Sequence, residues 1–455
     1  MFVTMSCVST HAEKRSVDLI ITGGVVVPIS AEPIEDGGVA IHGGAIVAVG
    51  TSEEIASGFT ASETVNAEGM AVLPGLVNAH THAPMTLFRG IADDRDLMDW
   101  LQNYIFPAEA KNVDAEFVKW GTRLAAAEMI QTGTTTFADM YYFEADIARE
   151  VRAAGMRGVL GETFIDFPAP DNKTWEDAIA YMRKFAEEFR DDPLVTPALA
   201  PHAPFTVSPE HLKEVRKLAD ELGVPILIHL SETEAEQAQI AERFEGKTPT
   251  RHLADLGFLG DDVLAAHGVW LSDADMTLLA ENAVGVVHCA ESNMMLASGV
   301  APVTQMIEKG MEVGLGTDGP AGSNNDLDMI DEMATAARLQ KISNRDPKAL
   351  GAVDVLRLAT LGSATALGMD DRIGTIEVGK RADLIIVDLQ GVGTQPYYSV
   401  ESAIVYSTSG DDVVTTIVDG KFLMRDRKIL TIDVAKTLAK AREYRDSILA
   451  SLESD

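Results

Sequence analysis

Between about residues 70 and 320 the chain alternates short apolar runs, rich in β-branched residues, with longer amphipathic stretches. Eight runs stand out: "AVLPGLVNAH", "TTTFADM", "RGVLGE", "VTPALAPH", "PILIHLSE", "VLAAHG", "VGVVHCAES" and "VGLGTDG". The stretches between several of them, such as "DAEFVKWGTRLAAAEMIQTG" and "SPEHLKEVRKLADELG", repeat apolar residues three and four apart and close on Gly. That spacing predicts amphipathic helices with glycine C-caps. Eight buried strands alternating with helices predict an α/β chain folded as a (β/α)8 TIM barrel over 73–372. A doubly wound open sheet is the alternative. It has no reason to stop at eight strands, and no GxGxxG or Walker-type loop follows an early strand.

The flanks have a different rhythm. Residues 17–72 hold "VDLIITGGVVVPI" and "GGVAIHGGAIVAVG", strands interrupted by Gly pairs. After a helical stretch near 353–367, residues 373–432 return to that style in "IGTIEVGKRADLIIVDL" and "VVTTIVDGKFLMRDRKIL". Neither flank has enough strands to bury a sheet face alone. Together they predict one small composite β-sandwich domain formed by both chain ends. Residues 433–455 read as a charged amphipathic C-terminal helix, and 1–16 as a flexible N-terminal tail.

Charge and cysteine content narrow the partners. Against 37 basic side chains stand 70 acidic ones, a formal charge of −33. Nucleic acid and anionic membrane would repel such a surface, so neither is expected as a partner. No apolar run approaches the ~18 residues a membrane span needs, and "MFVTMSCVSTHAEKRSVD" lacks the apolar core of a signal peptide. Two cysteines, Cys7 and Cys289, cannot build a disulfide framework, which fits a reduced, cytoplasmic setting.

In a barrel, reactive groups gather at the C-terminal ends of the strands. Here those ends carry His80 and His82, His202, His229 with Glu232 close behind, His267, His288 and Asp318. Six of the ten histidines thus fall where a catalytic face belongs; His11, His42, His211 and His252 do not. On a strand, residues two apart point to the same side, so His80 and His82 form a pincer. His229 and Asp318 would complete a His3Asp shell that suits Zn²⁺ or Fe²⁺ and leaves a position for water. A hydrogen-bonded structural cluster of histidines is the bland alternative. The convergence of an HxH pair, a distant strand-ending His and the Asp of "GTDG" favours the metal.

Several segments resemble the amidohydrolase superfamily, in its cytosine deaminase/chlorohydrolase-like branch. They are "PGLVNAHTHAPM", "HAPFTVSPE", "IHLSETEAE", "AHGV", "ESNMMLASGVAPV" and "GLGTDGPAGSNNDLDM". "TLFRGIADDRDLMDWLQNYIFPAEA" matches the pocket loop of branch members that deaminate adenine-type nucleosides: 5-methylthioadenosine, S-adenosylhomocysteine or adenosine. The resemblance implies a metal-dependent aminohydrolase yielding the inosine analogue and ammonia, with His80, His82, His229 and Asp318 on one ion. Binuclear relatives carry a carboxylated lysine at the end of strand four; "VTPALAPHAPF" has none, which agrees with a single metal. The resemblance further implies that Asp318 and His267 orient and deprotonate a water. Glu232 would protonate the ring nitrogen beside the attacked carbon. Trp100 would stack on the purine, Glu109 would accept from ribose hydroxyls, and His202 would contact base or ribose. A homo-oligomer is also implied.

Many of these deaminases place an arginine after strand three, where it reaches a substrate carboxylate. This chain has Glu162 there, and Arg157 lies at the strand's start. A neutral thioether tail is therefore expected. The nearest rival is hydrolysis of another N-heterocycle, guanine, 8-oxoguanine or a triazine, including dechlorination. A non-catalytic binding protein on this fold is a more distant one.

Overall fold

The computed structural model describes residues 14–452. The expected tail, 1–16, lies outside them except for its last three residues, and Arg15 already opens the first strand, Arg15–Val26. Cys7 and His11 lie outside the described residues as well.

Eight parallel strands form the barrel. They are β1 (Leu76–Thr81), β2 (Thr134–Tyr141), β3 (Arg157–Phe164) and β4 (Val195–Pro201). β5 (Ile226–Leu230), β6 (Val263–His267), β7 (Gly285–His288) and β8 (Val313–Leu315) continue the order without a crossover. The ring closes beyond β8, where Thr81 bridges Asp318 in parallel register. The Asp318 amide donates to the His80 carbonyl at 3.0 Å. Val77, Ala79, Ala138, Val159, Ala198, Ala200, Leu227, Leu264 and Val287 meet in one cluster that fills the barrel. Intervening residues such as Ile226, Ile228 and Leu230 join the core under the helices. Helices form where the pattern placed them. Ala115–Gln131 is capped by Asp114, and Pro209–Leu222 ends on Gly223 at φ 67°.

The flanks combine into one nine-stranded sheet. Its joint is Met70–Pro74, which pairs parallel with Arg15–Val26 and antiparallel with Leu384–Asp388 from the far end of the chain. Leu19, Ile21, Val39 and Ile41 share a core with Leu384, Ile386 and Ile417, so the two halves of the sheet cover each other. The run "AVLPGLVNAH", which the pattern presents as one strand, is split at Gly75 between the two sheets. A Cβ at Gly75 would lie 2.1 Å from Thr135 Oγ1, so only glycine passes there. Val434–Leu452 forms the C-terminal helix and packs on Ala115–Gln131. No helix among the described residues is long and apolar enough to cross a membrane.

Arg157 is a floor residue, as its place at the start of β3 implies. Its guanidinium meets Asp383 at 2.9 Å, both side chains being 3 % exposed, and so ties the barrel to the small sheet. Removing one partner of a buried ion pair strands the other charge and costs about 3–5 kcal/mol. Asp383→Ala is expected to lower the thermal unfolding midpoint accordingly. A midpoint equal to that of the wild type would show that this pair does not hold the two sheets together.

Candidate metal centre and pocket

One ligand atom from each of His80, His82, His229 and Asp318 lies within 4.8 Å of the others. Asp318 Oδ1 is 3.3 Å from His80 Nε2 and 3.2 Å from His82 Nε2. Local backbone geometry makes this meeting possible. Between Asn78 and Thr81, β1 spends three steps against two on β2 (Phe137 to Asp139), a bulge that turns His80 and His82 toward the cavity. Asp318 lies beyond the end of β8 with a left-handed backbone, φ 63°.

Backbone carbonyls fix the tautomers. His82 Nδ1 donates to the Met140 carbonyl at 2.5 Å and His229 Nδ1 to the His202 carbonyl at 2.7 Å. Each ring then carries its lone pair on Nε2, and these two atoms stand 3.2 Å apart. His80 Nε2 is buried without a hydrogen-bond partner. Three imidazole lone pairs and a carboxylate converging on one spot repel one another unless a cation sits among them. The residues therefore fit a divalent metal, and the four form a metal-binding site.

The protonation states of His80, His229 and Asp318 agree. Burial lowers the pKa of His80 to about 4 and that of His229 well below the usual range, so both rings are neutral. Burial alone would raise Asp318, but the adjacent His80 and His82 rings outweigh it and hold the carboxyl well below its usual range. His82, which burial would lower, is drawn up to about 9 by Asp318, a sign of how strongly this carboxylate attracts positive charge.

The site opens into a cavity walled mostly by apolar and aromatic side chains. Its lining brings together the residues predicted for the substrate, Trp100, Glu109, His202, Glu232 and Asp318, with His267, predicted to act on the water. Trp100 and Glu109 arrive on a helical excursion after β1, Leu97–Trp100 running through a π-helical turn into Phe106–Asn112. The Trp100 indole N–H donates to the Ala321 carbonyl at 2.8 Å. Burial pushes Glu109 up to about 7 and His202 down to about 3. Glu232 is 6 % exposed, its Oε1 is unpartnered, and burial raises its pKa. Its Oε2 is 3.7 Å from His267 Nε2.

His288 is not brought to the site. Val287 occupies the barrel interior, so the next side chain turns away. The His288 ring is fully buried with both nitrogens unpartnered, and burial lowers it to about 4. His267 has the same parity relative to the interior residue Leu264, yet reaches the cavity because its backbone is left-handed, φ 74°.

Several supporting residues escaped the sequence reading. Glu236, 4 % exposed, accepts from the amides of Ser231 (3.0 Å) and Glu232 (2.8 Å) and so fixes the backbone that carries Glu232. Its position in "SETEAE", three residues after the N-cap Thr233, was the available signal. Tyr141 and Tyr142, which line the cavity beside Glu109, had none.

The amidohydrolase family signature matches residues 71–423. The chain belongs to the amidohydrolase family. This amidohydrolase is 48% identical over 427 residues to the 5-methylthioadenosine/S-adenosylhomocysteine deaminase of Syntrophobacter fumaroxidans, covering 93% of this chain and 97% of that one. It is 43% identical over 441 residues to the 5'-deoxyadenosine deaminase of Methanosarcina mazei, covering 96% and 100%. Among solved structures, an adenosine deaminase from Xanthomonas campestris with bound zinc superposes with a TM-score of 0.94. That enzyme is 43% identical, with 96% of this amidohydrolase and 100% of it covered.

Replacing one ligand of a four-ligand shell removes a quarter of the donors and leaves a gap no neighbour fills. His82→Ala is expected to reduce bound divalent metal from close to one ion per chain to near none, with a far-UV spectrum like the wild type. Full occupancy in that variant would show that His82 is not a ligand.

Proposed function

We propose that this amidohydrolase hydrolyses the exocyclic C–N bond of an adenine-type nucleoside, releasing ammonia and the inosine analogue. The observation that carries the reading is one of proximity. Buried Glu232, with an unpartnered oxygen, opens onto the same cavity as His82, His229 and Asp318 of the metal site. The identity to nucleoside deaminases over nearly the whole chain supports it. Zinc is the proposed metal, on the nitrogen-rich donor set and on the zinc of the Xanthomonas enzyme. When bound, such an ion supplies Lewis-acid activation of a water molecule near neutral pH.

The chain's own residues do the rest. Burial raises the pKa of Glu232 and so favours its acid form, whose carboxyl gives a proton to the ring nitrogen as water adds to the neighbouring carbon. Asp318 and His267 take the protons that the water gives up. One of these passes to the exocyclic amine, which leaves as ammonia, and the other returns to Glu232 and restores its acid form. Trp100 offers its indole face to the purine, held in place by the bond to Ala321. Glu109 accepts from the ribose diol, and His202 contacts base or ribose.

The 5'-substituent is proposed to be neutral. Among the described residues no lysine or arginine lines the cavity, whose other walls include Leu97, Leu101, Ile105, Phe106 and Phe205. Glu162, at the position where many relatives have arginine, is buried and accepts from Asn172 at 2.9 Å. A methylthio or deoxy group suits such walls better than a carboxylate. The same reading includes a cytoplasmic setting and a homo-oligomer.

A panel of 5-methylthioadenosine, S-adenosylhomocysteine, adenosine, guanine and a triazine, followed by ammonia release, tests the substrate class. The expected order puts 5-methylthioadenosine ahead of S-adenosylhomocysteine and leaves the bare rings unconverted. Turnover of guanine or triazine alone would contradict the reading. Glu232→Gln is expected to keep its metal and lose about 100- to 10,000-fold in kcat. Wild-type turnover would exclude Glu232 as the proton carrier.

A further inference from the structure

The segment "ESNMMLASGVAPV" has so far played no part in the chemistry. Its first residues form the short helix Ala290–Met295 directly after β7. Two consecutive side chains of that helix reach two different residues of the site. Ser292 donates to Asp318 Oδ2 at 2.6 Å, and Asn293 Oδ1 lies 3.2 Å from His267 Nδ1. Ser292 and Asn293 are themselves buried, at 0% and 1% exposed.

The two residues they grip are strained. Asp318 and His267 have left-handed backbones at φ 63° and 74°, a region that costs a residue with a Cβ about 1–2 kcal/mol. Such positions persist only where surroundings impose them. The helix supplying the grip is itself held fast. Buried Glu332 accepts from the amides of Ala290 and Glu291, while the Glu291 carboxylate accepts from Thr335 Oγ1 at 3.0 Å and Asn324 Nδ2 at 3.2 Å.

We propose that this turn is the positioning device of the proton-handling pair. Ser292 sets the rotation of the Asp318 carboxylate, and Asn293 sets the tautomer of His267. With Ser292 on Oδ2, Asp318 presents Oδ1 to His80 and His82. With the Asn293 oxygen on Nδ1, the His267 proton resides on Nδ1 and Nε2 keeps its lone pair on the Glu232 side of the cavity. Nε2 is then ready to accept a proton from water. In the other tautomer it would already carry one. Ser292 and Asn293 are positioning residues: neither lines the cavity. The inference rests on the aminohydrolase reading of the site.

The test uses zinc-loaded protein labelled with ¹⁵N-histidine, with His267 signals identified by their loss in His267→Gln. Long-range ¹H–¹⁵N spectra of the wild type are expected to show His267 protonated on Nδ1. Asn293→Asp, which keeps an acceptor, should retain that signature. Asn293→Leu should shift it to Nε2, and kcat should fall about 10- to 100-fold with KM little changed. Asn293→Ala carries the same test if leucine prevents folding. Ser292→Ala should weaken zinc binding about 10- to 100-fold in competition with a chromophoric chelator, and Ser292→Thr should restore it. A leucine or alanine variant at Asn293 that keeps either the Nδ1–H signal or the wild-type kcat overturns the proposal. So does unchanged zinc affinity in Ser292→Ala. The spectra and the zinc titration need no substrate. A wild type inert toward every nucleoside would therefore sink the aminohydrolase reading and leave these two results to be judged separately.

Discussion

The seam between β1 and the segment after β8 is the contact on which the site depends. Asn78 and Thr317 exchange two hydrogen bonds across it, Asn78 Nδ2 to Thr317 Oγ1 at 2.8 Å and the Thr317 amide to Asn78 Oδ1 at 3.0 Å. The next bond along, from the Asp318 amide to the His80 carbonyl, sets the carboxylate beside His80 and His82. Residues more than 230 positions apart in the chain become neighbours through these bonds. All three are buried, where an unmade bond leaves a polar group unsatisfied at a cost of about 1–3 kcal/mol. Opening the seam would separate Asp318 from the imidazoles and expose the barrel interior in one event.

Buried glutamates hold the turns that leave the strands. Glu236 binds two successive amides after β5, and Glu332 binds two after β7. Glu144 accepts from the Tyr141 amide at the end of β2. Burial raises the pKa of each, and the backbone hydrogen bonds draw it back down. Each amide bond to such a buried carboxyl contributes about 0.5–1.5 kcal/mol. Such bonds are of the size needed to keep Ser231, His267 and Asp318 in left-handed conformations that their side chains disfavour.

Much of this was legible in the sequence, for physical reasons. Eight apolar runs separated by helical periods point to a closed barrel, and histidine is rare enough that a row of strand-ending imidazoles stands out. Gly-broken strands at both ends foretold a sheet shared by the two termini. Other features leave no such trace. The carbonyls that orient His82 and His229 belong to Met140 and His202, and any residue offers a carbonyl. The bulge in β1 and the left-handed φ of His267 are conformations of ordinary residues, so the sequence does not distinguish His267, which reaches the cavity, from His288, which does not. The split of residues 71–80 at Gly75 was hidden because both halves are apolar and β-forming.

Function follows from bringing together groups that a folded chain seldom gathers: three imidazoles and a carboxylate around one point, and a buried glutamic acid that opens onto the adjoining cavity. The most direct measurement is anomalous diffraction from crystals grown with zinc, recorded on both sides of the zinc absorption edge. A single strong peak among His80, His82, His229 and Asp318 is the predicted result. No peak there, or a peak bound by other residues, would contradict the account.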